Sequence, residues 1–376
     1  MTAGGGVPCM WMRGGTSKAA VFLAEDLPTE TKERDELLLR IMGSPDALQI
    51  DGIGGATGLT SKVAVVSLSQ DHEADINYLF LQVGVTEGVV TDKQNCGNVL
   101  AAVGPFAVER GLISADDPET TVRIRMVNSD SVATATFPTP ARTLNYAGEV
   151  RISGVPGTAA GVRLAFSGIE GSATGSLFPT GSVLDNIDGL DVTCIDNGMP
   201  VIVVEASGLG LSGYETYDKL LASTDVIARI DVLRRKAGAR MGLGDVTDKS
   251  IPKTVLVSPA VDGGQVCSRS FIPTRPHTAI GVLAAVSTVT ALLTPGAVGH
   301  RLTHTWQHDG SPVDVEHPSG HLLVDVRLVA DDAGNIRVDQ SGVVRTARKL
   351  FDGEVFPGPA RTNAPSNPGE THATRS

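Results

Sequence analysis

Two segments, each near the middle of one half of the chain, are apolar on every side. VLAAVGPFAV (99–108) and VLAAVSTVTA (282–291) begin with the same five residues and carry no charge. A helix of that composition has no face to offer to water, so other elements must surround it. The stretches around both segments read as short strands rich in Val, Ile and Leu. The expected fold class is therefore α+β: two similar domains, each a curved, mostly antiparallel sheet wrapped around one central apolar helix, with the working cleft between them.

The 376 residues suffice for two domains of ordinary size. The first is expected over 1–187 with its helix at about 96–110, the second over 188–356 with its helix at about 277–293. The last strands are free to return to the first domain. The remainder, 357–376, is polar and Pro-rich and is expected to be a disordered tail. Within the first domain, 30–43 has helical spacing and stops at Gly43. Strands are expected at 61–69, 76–85, 120–129, 147–153 and 161–168. In the second, 191–206 reads as strand, turn, strand and 224–242 as a helix with a basic face. Strands are expected at 253–261, 265–272 and 300–307.

Charge narrows the partners. Acidic residues exceed basic ones by 42 to 31, a net −11, and aromatic residues are 4 % of the chain. Both argue against a nucleic-acid surface. An anionic substrate is still possible, but local donors must hold it against the overall field. No run of about 18 apolar residues is present, so no membrane span is expected. The first residues lack the basic start and long apolar core of an export signal. The four cysteines, Cys9, Cys96, Cys194 and Cys267, form no CxxC pair and read as reduced thiols of a cytoplasmic protein.

Four short stretches carry candidate chemistry. In QNCGN, Cys96 stands at the mouth of the first apolar helix. There the unpaired N–H groups and the helix dipole would favour a thiolate, and Gly97 lets a carboxylate approach the backbone. The plain alternative is a small thiol filling a gap. In QIDGIGGATGLTSK, four glycines within 52–58 lead to Ser61 and Lys62 at the start of a strand. Apolar neighbours there would desolvate the amine and favour its neutral, basic form. A strand rather than a helix follows the glycines, which rules out a dinucleotide fingerprint. In MRGGTSK, Arg13, Gly14, Gly15, Thr16 and Ser17 offer charge, backbone and hydroxyl donors suited to a carboxylate. In RPHTAIG, Arg275, His277 and Thr278 stand where QNC stands in the first half.

Five histidines fall within 22 residues, His300, His304, His308, His317 and His321. No HExxH-like helix surrounds them, and no metal is expected. HPSG, with Ser319 and Gly320, reads instead as a substrate-contacting turn.

Taken in order, MRGGTSK, DGIGGA…LTSK, QNCGN…GPFAVERG, IDNGMP and EHPSG resemble the bacterial methylaconitate/methylitaconate isomerase family. Within it they look most like its 4-oxalomesaconate tautomerases and isomerases of gallate and protocatechuate breakdown. The similarity covers roughly residues 7–330. It implies a diaminopimelate-epimerase-like fold of two domains, no cofactor, and a Lys/Cys pair that moves a proton along an allylic system. The family's lysine falls on Lys62 and its cysteine on Cys96. The second helix mouth has no cysteine, so a two-thiol racemase is not expected.

The expected activity is a 1,3-proton shift on an unsaturated oxo-tricarboxylate, with Lys62 as base and Cys96 as acid. Asn95 and the N–H groups of Gly97 and Asn98 would stabilise the dienolate. The alternatives are 2-methylaconitate cis–trans isomerisation or methylitaconate double-bond shift with the same pair, and, from another class, a non-catalytic carboxylate binder. The expected partner is a small polycarboxylate, with a homodimer possible.

Overall fold

The computed structural model describes residues 5–305, 310–330 and 336–359, with side chains of 303–305 left aside. Within them one strand-pairing scheme occurs twice. In the first half, β1 (Val7–Gly14) and β2 (Ser17–Leu23) form a hairpin, and β2 pairs in parallel with β3 (Lys62–Leu68). β3 pairs with β4 (Ile76–Val83), to which the two-residue β5 (Val90–Thr91) is added. β4 then pairs in parallel with β6 (Glu119–Met126), followed antiparallel by β7 (Ser131–Pro138) and β8 (Gly161–Phe166).

After β9 (Asp185–Ile187) the scheme repeats. β10 (Leu190–Asp196) and β11 (Pro200–Glu205) form the hairpin, and β11 runs parallel to β12 (Lys253–Pro259). β12 pairs with β13 (Val266–Ile272), to which β14 (Arg275–Pro276) is added. β13 lies parallel to β15 (Val313–His317), followed by β16 (Gly320–Ala330) and β17 (Ile336–Val355). The 20-residue β17 then leaves its own half and pairs with β1 and β8. Hydrogen bonding thereby joins all these strands into one mixed sheet.

Five α-helices accompany them among the described residues: α1 (Thr31–Met42), α2 (Gly97–Glu109), α3 (Tyr217–Ala222), α4 (Thr224–Arg240) and α5 (Val282–Leu293). α2 and α5 are the two apolar segments. Val99, Leu100, Val103 and Phe106 of α2 and Ala284, Val286 and Val289 of α5 are fully buried in one continuous core. Each such large side chain contributes about 1.5–3 kcal/mol by leaving water. The outer sheet faces are covered by flanking helices. Leu38, Ile41 and Met42 of α1 pack on Trp11, Phe22 and Val63. Ile230 and Leu233 of α4 pack on Cys194, Ile202 and Phe271. α1 stops where expected, at Gly43 in the left-handed conformation (φ 78°).

α5 buries hydroxyls as well as methyls. Thr288, Thr290 and Thr294 return theirs to the carbonyls of Ala284, Val286 and Thr290. Asn197, in the IDNGMP turn, donates to Thr290 Oγ1 at 2.9 Å and to Ser341 Oγ of β17 at 2.8 Å. That motif therefore ties α5 to the crossing strand.

Several expectations need correction. The stretch 147–153 is not a strand: only Val150 bridges to Ala159, and turns at Gly154 and Gly157, both at positive φ, fold it into a loop. β7 was not anticipated; its small Ala and Thr residues hide its alternation. His300–Thr305 forms a 3-10 turn rather than a strand. α5 starts at Val282, not near 277, because Gly281 is its N-cap and β14 occupies Arg275–Pro276. The expected tail lies outside the described residues from 360 onward; at its start, Gly358 O accepts from Arg40 Nη1 at 3.0 Å.

Candidate active site

The mouth of α2 is held open by glycine. Cys96 is the N-cap, with extended backbone (φ −129°, ψ 98°), and no side chain caps the helix. Helix geometry leaves the N–H groups of Gly97, Asn98 and Val99 without intrahelical partners. β1 runs directly against this turn: a Cβ on Gly14 would overlap Asn98 O and stand 3.0 Å from Val99 Cα. Asn98 Nδ2 donates to Thr16 Oγ1 at 3.0 Å, which closes the β1–β2 turn over the helix.

Lys62 opens β3 and is 7 % exposed. Its Nζ donates to Gln82 Oε1 at 2.7 Å and lies 5.0 Å from the Phe80 ring centre. Gln82 Nε2 donates to the carbonyls of Ser61 (3.0 Å) and Gly58 (3.2 Å), which turns its oxygen toward the amine. Gln82, Phe80 and Tyr78 alternate along β4 and so share its inner face. Tyr78 OH donates to Cys96 O at 3.3 Å. Complete burial, with Cys96 close by adding to it, holds the Tyr78 phenol well above its ordinary range, so it stays a donor. One face of β4 thus meets the Lys62 amine at Gln82 and Phe80 and the backbone carbonyl of Cys96 at Tyr78.

Cys96 faces a cleft of about 570 Å³. Thr16, Leu59 and Asn95–Asn98 form one wall. Ala279–Val282 at the mouth of α5, His317, Ser319, His321, Leu322 and Arg345 form the other. Ile152, Ser153 and Gly154 close the side, where Ser153 Oγ accepts from His321 N at 2.6 Å. Ser319 Oγ donates to Thr278 O, fastening the His317–Gly320 hairpin turn to the α5 approach. His317 Nδ1 accepts from Ser319 N at 3.2 Å. Burial, with His321 and Arg345 nearby, pushes His317 down to about 4, so the ring is neutral. His321 is the reverse: burial works against its charge, but Asp314 and Asp262 outweigh that and raise it. Arg345 is pushed down to about 10 by burial, and its one recorded hydrogen bond goes to Val344 O at 3.3 Å.

A model of the PrpF protein family matches residues 6–357. The chain belongs to the PrpF family. Its (4E)-oxalomesaconate Delta-isomerase relative from Novosphingobium sp. (strain KA1) is 52 % identical over 349 residues, covering 93 % of this chain and 97 % of that protein. The 4-oxalomesaconate tautomerase of Pseudomonas putida is 50 % identical over 352 residues, covering 94 % and 96 %. Among solved structures, a methylitaconate-delta-isomerase superposes with TM-score 0.84 at 31 % identity, covering 96 % of this chain and 99 % of that one. The α+β fold of this PrpF chain is thus that of a known isomerase.

Of the residues anticipated for the site, Thr16, Asn95, Cys96, Gly97, Asn98 and Ser319 line the cleft. Gly14 and Gly15 support its wall, and Gly320 (φ 127°) makes the hairpin turn beside Ser153. Lys62 and Ser61 are not among the residues that line the cleft; Ser61 donates to Gln49 Oε1 at 2.7 Å. Ser17 is buried with its hydroxyl unpartnered. Arg13 turns away: its Nη1 donates to Gly15 O (2.9 Å), Thr346 O (3.0 Å) and Thr346 Oγ1 (2.8 Å), and it lines a separate cavity with Tyr146 and Arg348. The strand period decides this, since Gly14 takes the inner face and its neighbour the outer. Arg275 is exposed, with Nε on Tyr217 OH at 3.1 Å, because β14 faces it outward. His277 Nδ1 accepts from Ala279 N at 2.9 Å, and Thr278 contributes its carbonyl to Ser319, so neither lines the cleft.

Arg345, Ile152 and Gly281 reach the cleft without having been anticipated. A second lysine, outside the cleft lining, holds the matching strand position in the other half. Lys253 opens β12 opposite Val201, as Lys62 opens β3 opposite Ala19. Burial lowers its amine, and a Cβ on Gly281 would lie 3.4 Å from its Nζ. Among the described residues no cluster suited to a metal ion exists; His308 and the side chain of His304 lie outside them. His300 Nδ1 instead meets Leu292 O at 2.8 Å.

Proposed function

We propose that this isomerase moves one proton across a three-atom allylic system of a small oxo-tricarboxylate, 4-oxalomesaconate, without a cofactor. The observation that carries the reading is the α2 mouth: a free thiol at an uncapped helix N-terminus, facing a cleft and joined by one strand to a lysine whose partner is a neutral amide. The two oxalomesaconate-directed relatives at 52 % and 50 % identity support the substrate.

In the proposed cycle Lys62 takes the C–H proton beside the conjugated carbonyl. Gln82 orients the amine without forcing it to carry charge, as a carboxylate would. The electron pair spreads over the dienolate, whose oxygen accepts from the N–H groups of Gly97 and Asn98. The Cys96 thiol returns a proton two carbons away. Proton transfer from the ammonium to the thiolate then resets the pair. Asn95, Thr16 and Ser319 supply neutral donors along the walls. Keto–enol tautomerisation and a double-bond shift use the same groups and differ in which atom receives the proton. The methylitaconate-type shift ranks second, on the 31 % match.

The reading also divides the chain into diaminopimelate-epimerase-like domains at 1–187 and 188–356, supported by the repeated pairing scheme around α2 and α5. It places the protein in a reducing compartment, in keeping with four free cysteines. The test is proton NMR of 4-oxalomesaconate in deuterium oxide with purified protein. Deuterium should enter the carbon chain as the isomer forms. Binding without exchange or product would make the chain a carboxylate binder and end the proposal.

A further inference from the structure

The cleft contains a charge that the protein does not neutralise. Arg345 lines it from β17, the strand that crosses from the α5 half to pair with β8 (Arg345 opposite Val162) and β1. Its recorded hydrogen bond is to the carbonyl of its own neighbour, Val344, and no ion pair to it is found among the described residues. The nearby carboxylates are already committed. Asp314 and Asp262 face His321. Glu316 accepts from the N–H groups of Val261, Asp262 and Gly264. The histidines that line the cleft with it, His317 and His321, offer it no negative charge.

A half-buried guanidinium without a counter-charge is unfavourable in the empty protein. Beyond the bond to Val344 O its planar fork of donors has no protein partner among the described residues, and such a fork matches a carboxylate with two parallel hydrogen bonds. Arg13 holds the strand in place by three bonds to Gly15 and Thr346, the latter being the next residue after Arg345. The overall charge of −11 makes a local cation the more necessary for an anionic ligand.

We propose that Arg345 binds one carboxylate of the substrate and thereby selects polycarboxylates that present a second acid group while Cys96 is engaged at the α2 mouth. This rests on the isomerase reading for the identity of the substrate, but the anchoring itself is measured by binding. The probe is tricarballylate, an unreactive tricarboxylate, titrated calorimetrically into the wild type and Arg345→Gln. Loss of a charge-assisted pair should weaken binding by at least about tenfold. The KM for 4-oxalomesaconate should rise as well. The melting temperature of the empty variant should stay level or rise, since an unpaired charge has been removed; a merely structural arginine would lower it.

Equal affinity in wild type and variant, or weaker binding only in step with a lowered melting temperature, overturns the proposal. If Arg345→Gln does not fold, Arg345→Lys carries the test. It keeps the charge and loses the fork, so weaker tricarballylate binding supports the anchor and wild-type affinity overturns it. A wild type that binds tricarballylate through Arg345 yet leaves 4-oxalomesaconate unchanged removes the isomerase reading and keeps the anchor. Normal turnover with an indifferent Arg345 does the reverse.

Discussion

Lys62 and Gln82 are directly opposed on β3 and β4, and the amine donates to the amide oxygen at 2.7 Å. No carboxylate shares this contact among the described residues. A base needs that arrangement, because a neighbouring carboxylate would hold the amine as ammonium. Gln82→Glu is therefore expected to lower kcat by holding the amine in an ion pair. Turnover equal to that of the wild type would show that the amine is not the base.

Removing either member of the pair should stop the chemistry and spare the fold. Lys62→Met keeps the volume of a buried stem, and Cys96→Ser keeps a small polar side chain at the N-cap. Each should lower kcat by roughly 10²–10⁴-fold, the usual contribution of a positioned acid or base. Circular dichroism and the melting temperature should be close to wild type. Near-normal turnover in either variant removes that residue from the mechanism.

Gly14 is where the sheet touches the mouth of α2. A methyl group there meets backbone, Asn98 O and Val99 Cα, and backbone cannot rotate aside. Gly14→Ala should cost about 1–3 kcal/mol of stability through overpacking. It should also raise KM or lower kcat by displacing the Gly97 and Asn98 N–H groups. Unchanged urea unfolding and unchanged kinetics would mean that the approach is looser than this.

His317 makes stability depend on pH. Its folded value of about 4 lies below the ordinary 6.5, so between those values the unfolded chain binds more protons and stability falls as the pH falls. His321, raised by Asp314 and Asp262 against the effect of burial, acts with the opposite sign and stabilises the acid side. His317→Asn should therefore lose less stability than the wild type on going from pH 7.5 to pH 5. The difference should be on the order of 1 kcal/mol, allowing for the ring's partial exposure. Urea midpoints at the two pH values measure it, and parallel losses in both proteins would contradict it.

Ser153 carries the contact between the loop after β7 and the β15–β16 hairpin, through His321 N at 2.6 Å. Ser153→Ala is expected to weaken substrate binding several-fold with little change in kcat, since Ser153 lines the cleft but is neither member of the proposed proton-transfer pair. Kinetics on 4-oxalomesaconate separate the two parameters, and a loss confined to kcat would argue against that role.

What was legible in the sequence was local and periodic. The apolar runs located α2 and α5, the helical spacing before Gly43 located α1, and the QNCGN motif put Cys96 at a helix mouth. These follow from propensity, capping and the need to surround a helix that has no polar face, all of which act over a few residues. β7 escaped because its small residues hide the alternation, and the 147–153 loop misled because alternation alone does not make a partner strand. Tertiary structure decided which donors share the cleft. The two-residue period of β1 sends Arg13 outward beside an inward Gly14, and β14 faces Arg275 to solvent. Only the long crossing of β17 delivers Arg345, 249 positions from Cys96 in the chain, to the same cavity. That placement depends on pairings between distant strands, and no local preference of the chain encodes which two will meet.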